Sequence, residues 1–229
     1  MNEQTHQWPE HAAAYNTHNR VLEIMQKHLP NLAGLSVLDI PCGAGAFSAR
    51  LDTLGVNVVP MDIEAVEPFY SDRNKRVLAD ANQTLPFQDG AFDVLVTIEG
   101  IEHLENPSFY LRECARVIKP GGWIFLSTPN VDSFRSRKSV FIYGYHRYFG
   151  PRGDAQKDSW HLLPIDMIFL KGAAERARLE IVDVAVNDLS SRNIFKEILR
   201  GFMSRKLPQN MRGQIPFYGD VVIYALKKA

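Results

Sequence analysis

The amino-acid sequence predicts an α/β fold, with seven strands in one mostly parallel sheet covered by helices on both faces. Three observations carry this reading. Short runs rich in Val, Ile and Leu alternate with longer amphipathic stretches, which is the pattern of parallel strands buried from two sides. The first run, VLDI, ends in a glycine-bearing turn, PCGAG, that opens a helical pattern. A chain of 229 residues, 45% apolar and 23% charged, has the size and composition of one folded core rather than of a disordered or fibrous protein. One domain over 1–229 is therefore expected.

In chain order, an amphipathic helix is expected at 19–29, ahead of the sheet. Strands are expected over 37–40, 56–62, 76–80, 92–98, 122–128, 179–186 and 221–226, and helices over 46–54, 107–118 and 164–178. Each helix then joins neighbouring strands by a right-handed crossover. In RVIKPGG, Lys119 is expected at the negative end of the helix dipole, and Pro-Gly-Gly stops the helix so that a strand follows at once. Two stretches break the pattern, 130–163 and 187–213, and read as insertions that form a lid over the substrate.

Charge and cysteine usage narrow the partners. Lys plus Arg equals Asp plus Glu at 26 each, so no global field draws the chain to nucleic acid; DNA is not expected and RNA is disfavoured. The N-terminal residues lack a basic flank followed by an apolar core, and no run of about 18 apolar residues occurs, so a soluble cytoplasmic protein is expected. Cys42 and Cys114 form no CxxC pair, which argues against a disulfide framework and against structural zinc.

The chemistry starts at VLDIPCGAGAFSARL. Gly43 and Gly45 permit backbone conformations and a close approach that a Cβ would block, and the helix beyond them presents unpaired N–H groups to a polar ligand. Asp62, at the end of the second strand, lies where a carboxylate accepts hydrogen bonds from two ribose hydroxyls. Asp80, at the end of the third, is placed to accept from an exocyclic adenine amine. A nicotinamide-dependent oxidoreductase would share the turn and the first acid, but GAGAFS lacks the last glycine of GxGxxG and no hydride-transfer constellation follows.

With these residues in order, and with FDVLVTIEGIEHLENP and RVIKPGGWIFLSTPN after them, the sequence resembles the class I S-adenosylmethionine-dependent methyltransferases, in particular their small-molecule and quinone-biosynthesis O-methyltransferase group. The resemblance covers roughly residues 36–130. It implies a Rossmann-like sheet with an antiparallel last strand, and S-adenosylmethionine or S-adenosylhomocysteine as cofactor. It also implies cofactor contacts from Asp39, Pro41, Cys42, Gly43, Gly45 and Phe47 in the glycine motif, with Asp39 facing the methionine amino group. Asp62 with Ile63 then takes the ribose, Asp80 with Ala81 the adenine, and Glu99 touches the cofactor. One departure stands out: Pro41 replaces the first glycine of the motif, so that position must need a negative φ and no donor.

Methyl transfer from a sulfonium is an in-line displacement with a neutral leaving group, so the site has to align nucleophile, carbon and sulfur in a dry pocket. Glu102 and His103, in EGIEH after the fourth strand, are the candidate catalytic residues. The same E-x-x-E-H letters resemble a divalent-metal site in quinone-biosynthesis and small-RNA O-methyltransferases, and Glu99, Glu102 and His103 are the alternative ligand set, with His146 or His161 as a further donor.

The first insertion carries Arg135, Arg137, Lys138, Arg147, Arg152 and Lys157, with Phe141, Tyr143, Tyr145, Tyr148, Phe149 and Trp160 as aromatic walls. The second reads as a basic amphipathic helix over about 190–206, suited to close the pocket, dock on a partner or touch an anionic membrane peripherally. Both insertions being basic in a neutral chain, a small anionic acceptor, lipid- or nucleotide-linked, is expected to be methylated on oxygen. Methylation of nitrogen, of an RNA 2′-oxygen, and a cofactor-binding module without turnover are the alternatives. Trp8, Tyr15 and His18 are candidate cofactor covers.

Overall fold

The computed structural model describes residues 16–67, 69–151, 161–188 and 215–229. In chain order the elements are α1 (Thr17–His28), β1 (Ser36–Asp39), α2 (Ala46–Thr53), β2 (Asn57–Asp62), β3 (Val77–Leu78), β4 (Phe92–Ile98), α3 (Pro107–Val117), β5 (Ile118–Pro129), α4 (Phe134–Tyr143), α5 (Met167–Arg176), β6 (Leu179–Val186) and β7 (Val221–Lys228). They build a seven-stranded sheet in the order β3-β2-β1-β4-β5-β7-β6. Strands β3 to β5 are parallel where they pair, and β7 runs antiparallel between β5 and β6. The expected class and the antiparallel last strand are thus both present.

Side-chain alternation along the strands divides the core in two. Leu38, Leu95, Ile124, Leu126 and Tyr224 face α3 and α5, whereas Val37, Val94, Val96, Phe125 and Ile223 face α1 and α2. Helix starts follow side-chain caps. Asn106 accepts from Phe109 N at 2.9 Å with Pro107 at the first helical position of α3, and Asp166 accepts from Phe169 N at 2.7 Å to open α5. On α3, Arg116 donates to the Leu85 and Phe87 carbonyls and to Glu113 and Asp89, pinning the segment that leads from β3 into β4.

Several expectations need correction. Strand β3 spans two residues instead of five, because only Met61 and Asp62 remain to pair with it and Asp80 then opens a turn, accepting from Asn82 N at 2.8 Å. Strand β5 starts at Ile118, not 122: Ile118 pairs with Phe92, and a register shift between Phe92 and Val94 absorbs the Pro-Gly-Gly. Lys119 therefore lies in a strand and bridges Asp93 at 2.7 Å rather than completing a helix dipole. Gly122 permits that crossing, since a Cβ there would stand 2.8 Å from the Asp93 carbonyl oxygen. The 130–163 insertion contains a helix, α4, capped by Ser133. The expected basic helix at 190–206 lies outside the described residues. Among those described, no helix is long and apolar enough to cross a membrane.

Candidate functional site

The sheet reverses its winding between β1, which leads to β2, and its other neighbour β4, and ligands of open α/β sheets bind at the carboxyl ends of the strands beside such a switch. A cavity of about 690 Å³ opens there. It is lined by Asp39, Pro41, Cys42, Gly43 and Phe47 from the first turn, by Asp62 and Ile63 after β2, by Asp80 and Ala81 after β3, and by Glu99 and His103 after β4.

Each wall has a local cause. Gly43, at φ +52, adopts the left-handed conformation, and its N–H donates to Asp62 Oδ2 at 2.7 Å, so Asp62 and the turn hold one another. Asp39 is buried, and Ser48 donates to its Oδ2 at 2.5 Å. Burial, reinforced by the nearby Asp62 charge, raises the Asp39 carboxyl to about 7 against the pull of Ser48. Tyr110 on α3 donates to the Ile40 carbonyl at 3.1 Å and fixes the end of β1 from behind. Pro41 follows a cis peptide bond, and its ring fills the space above Gly100. The turn needs no donor from that residue, since Cys42 N makes the bond to Met61 O at 2.9 Å.

Glu99 takes φ 48, a left-handed conformation that side-chain-bearing residues seldom adopt and that clusters at functional sites. Its N–H donates to Ser127. His103 lies edge-on to His161, ring centroids 4.7 Å apart. The His161 Nδ1 faces the Tyr148 carbonyl at 3.0 Å; a carbonyl only accepts, so that nitrogen carries the proton. Burial and His103 lower the His161 imidazole to about 4, leaving a neutral ring whose Nε2 looks toward Glu102 Oε1 at 3.9 Å.

Two expected contacts are displaced. Gly45 does not line the cavity: at φ +74 it caps α2, and a Cβ there would meet the Phe69 ring at 2.7 Å, so the residue serves packing. Glu102 is fully buried and outside the lining; Thr128 donates to its Oε2 at 3.0 Å, while its own carbonyl accepts from Leu162 and Leu163 N. It stands behind His103, and burial raises its carboxyl to about 8. Among the described residues, the side-chain donors that converge within 4.8 Å are Glu102, His103 and His161, so His161 rather than Glu99 joins the other two.

The lid aromatics are displaced as well. No described residue of 130–163 lines the cavity, and Phe141 is 90% exposed. Arg135 and Arg147 bridge Asp220, and Arg137 bridges Asp132. Arg152, Lys157 and Trp160, like Trp8 and Tyr15, lie outside the described residues.

His18 does reach the cavity from α1, which Asn16 and Arg20 tether to the carbonyls of Asn187 and Val186. Its ring packs on Phe47 at 5.2 Å, and burial lowers it to about 4, so it is neutral. Val66 and Tyr70 from the loop between β2 and β3, and Tyr110 from α3, are among the further lining residues that carry no signal in the sequence. A Val or Tyr at such a position is indistinguishable from core until the loop between β2 and β3 is placed.

A protein-family model described as a methyltransferase domain matches residues 38–126, from β1 into β5. A ubiquinone biosynthesis O-methyltransferase of Albidiferax ferrireducens is 37% identical over 128 residues, 50% of this chain and 48% of that one. One of the same name from Xanthomonas oryzae pv. oryzae is 36% identical over 175 residues, 70% of this chain and 66% of that one. The chain thus spans from about half to just under two thirds of the length of these curated relatives. The solved structure of a SAM dependent methyltransferase from Archaeoglobus fulgidus superposes with a TM-score of 0.59 at 21% identity, covering 93% of this chain and 95% of that one. Motif order, sheet order and relatives agree. Over residues 38–126 the chain matches a methyltransferase domain, and it is similar to the S-adenosylmethionine-dependent methyltransferases in motif order and in fold.

Proposed function

We propose that the chain transfers a methyl group from S-adenosylmethionine to an oxygen of a small acceptor that carries phosphate or carboxylate. One observation supports this above the others: a single cavity runs from Asp62 and Asp80, two acids suited to a nucleoside, to Glu99 and His103 at the end of β4. In this reading Asp62 accepts from the ribose hydroxyls, Asp80 from the adenine amine, and Asp39 from the methionyl ammonium. The methyl carbon is then presented toward the β4 end, where His103 takes the hydroxyl proton as the new C–O bond forms and the C–S bond breaks. No covalent intermediate is needed, because the sulfonium leaves as a neutral thioether.

His161 packs edge-on against His103, and Glu102 lies beside both. Two imidazoles and a carboxylate also suit a divalent cation, and Glu102 Oε1, buried and without a hydrogen-bond partner, is an atom that a cation would satisfy. Bound there, such an ion would polarise the acceptor oxygen. The anionic character of the acceptor is supported by the excess of Arg and Lys over Asp and Glu in the stretches 130–163 and 187–213.

Turnover tests the reading. The protein is incubated with S-adenosylmethionine and paired anionic and neutral hydroxylated acceptors, and S-adenosylhomocysteine release is followed. Release with the anionic members, weakened by salt, is the expected result. Cofactor binding without release from any acceptor pool would instead mark a binding module, and release with amines alone would move the acceptor to nitrogen.

A further inference from the structure

We propose that Glu99 reads the charge of the cofactor, so that the cavity holds the sulfonium form and lets the neutral thioether product leave. This rests on the placement proposed for the cofactor and gives a function to the carboxylate at the β4 end of the cavity. Four carboxylates line that cavity, those of Asp39, Asp62, Asp80 and Glu99, and among the described lining residues there is no Lys or Arg. His18 adds no charge, because burial keeps its ring neutral. A cavity lined in this way attracts cations.

The cofactor's own groups allot the four acids. S-adenosylmethionine donates hydrogen bonds from its ammonium, its ribose hydroxyls and its adenine amine, and these go to Asp39, Asp62 and Asp80. No donor of the cofactor is left for Glu99. What remains is one positive group that carries no hydrogen, the sulfonium. The backbone agrees: Glu99 follows the last residue of β4, takes φ 48, and donates its N–H to Ser127 at 3.1 Å. A side chain held in that left-handed conformation is costly, and such residues gather where function uses them. Its lining neighbours Ile98, Gly100 and Leu104 offer no polar side chain, so the charge of Glu99 is weakly screened there.

Turnover changes the one quantity that Glu99 senses. As the C–O bond forms, the C–S electron pair stays on sulfur and the acceptor proton leaves, so a cation becomes a neutral thioether. S-adenosylhomocysteine keeps every donor assigned to Asp39, Asp62 and Asp80; it lacks only the methyl group and the charge. Like charge is already crowded in the cavity, since the Asp62 carboxylate adds to burial in raising Asp39 to about 7. A bound cation relieves that crowding, and a neutral product does not.

Calorimetry tests this without an acceptor. The ligands are S-adenosylmethionine, S-adenosylhomocysteine and an analogue with a protonated amine on carbon in place of the sulfonium. The two cations should bind about tenfold more tightly than the thioether. Glu99→Gln, which keeps the size and loses the charge, should weaken S-adenosylmethionine by about tenfold and the thioether by less than about twofold. A merely structural role would weaken both alike. Should that variant not fold, Glu99→Asn serves with the same expectation, because Asn tolerates the left-handed conformation. Thioether binding as tight as that of the sulfonium in the wild type overturns the proposal alone, as does an equal loss for both ligands in the variant. Heat from neither ligand would overturn the cofactor placement together with it.

Discussion

Asp62 carries two duties that substitution can separate. Its Oδ2 already accepts from Gly43 N, so replacement removes both the proposed ribose acceptor and a clamp on the turn. Asp62→Ala should weaken S-adenosylmethionine binding by about 1–3 kcal/mol, read by calorimetry. Asp62→Asn, which keeps one acceptor oxygen, should lose less. Asp39 gives a pH signature. Its carboxyl titrates near 7 in the fold against 3.8 ordinarily, raised by burial. The folded chain therefore holds the proton more tightly than the unfolded one. Its stabilising contribution is complete below 3.8 and is lost as pH rises to about 7. A methionyl ammonium demands the ionised form, so binding below that pH releases a proton. Affinity should rise with pH, by up to about tenfold per unit, and level off above about 7. Calorimetry in buffers of different ionisation enthalpy measures that proton, and Asp39→Asn should abolish the dependence. An unchanged slope in that variant would remove Asp39 from the ammonium site.

At the scale of elements, the departure at Pro41 has a partner that the sequence did not mark. A Cβ on Gly100 would lie 2.2 Å from Pro41 Cδ and 2.7 Å from Cγ, and a proline ring has no rotamer by which to move aside. Gly100→Ala should therefore destabilise the fold by about 1–3 kcal/mol. Pro41→Gly in the same chain should restore part of the loss, a coupling that a thermal double-mutant cycle reads directly. Independent, additive losses would show that the turn and the β4 exit move apart freely. The contact also explains which elements were legible. Helices whose start is written in a capping side chain, Asn106 before α3 and Asp166 before α5, sit within three residues of expectation. Strand β3 was overextended because its length is set by how far β2 reaches beside it, which is a property of the pair. Helix α4 escaped notice because its apolar residues gather at one end instead of recurring along one face. Within the site, Asp62 and Asp80 were readable as cavity residues because each follows the end of a predicted strand, where open α/β sheets place their ligands. His161 could be named only as an alternative to His146, because it meets His103 only once the chain has returned through β5 and α4.

For the whole molecule, the cavity is a seam between parts of the sheet that are far apart in sequence, with walls from the ends of β1, β2, β3 and β4. Nothing covalent closes that seam; Cys42 and Cys114 are free and buried. On one side β3, at the sheet edge, pairs through two residues only. A ligand that bridges Asp39, Asp62 and Asp80 should therefore stabilise the native state against unfolding, because the unfolded chain keeps none of this alignment. At about one hundred times its dissociation constant, S-adenosylmethionine or S-adenosylhomocysteine should add about 2.7 kcal/mol. For a chain of this size that corresponds to a rise of roughly 5–10 °C in the thermal midpoint. NAD should produce no such rise, because the turn lacks the last glycine of a dinucleotide fingerprint. A nucleoside without the methionyl end should give a smaller shift that no longer depends on Asp39. Scanning calorimetry with the three ligands separates the cases: equal midpoints with and without the sulfonium cofactor would leave the seam unbridged, and a shift with NAD alone would return the fold to its oxidoreductase alternative.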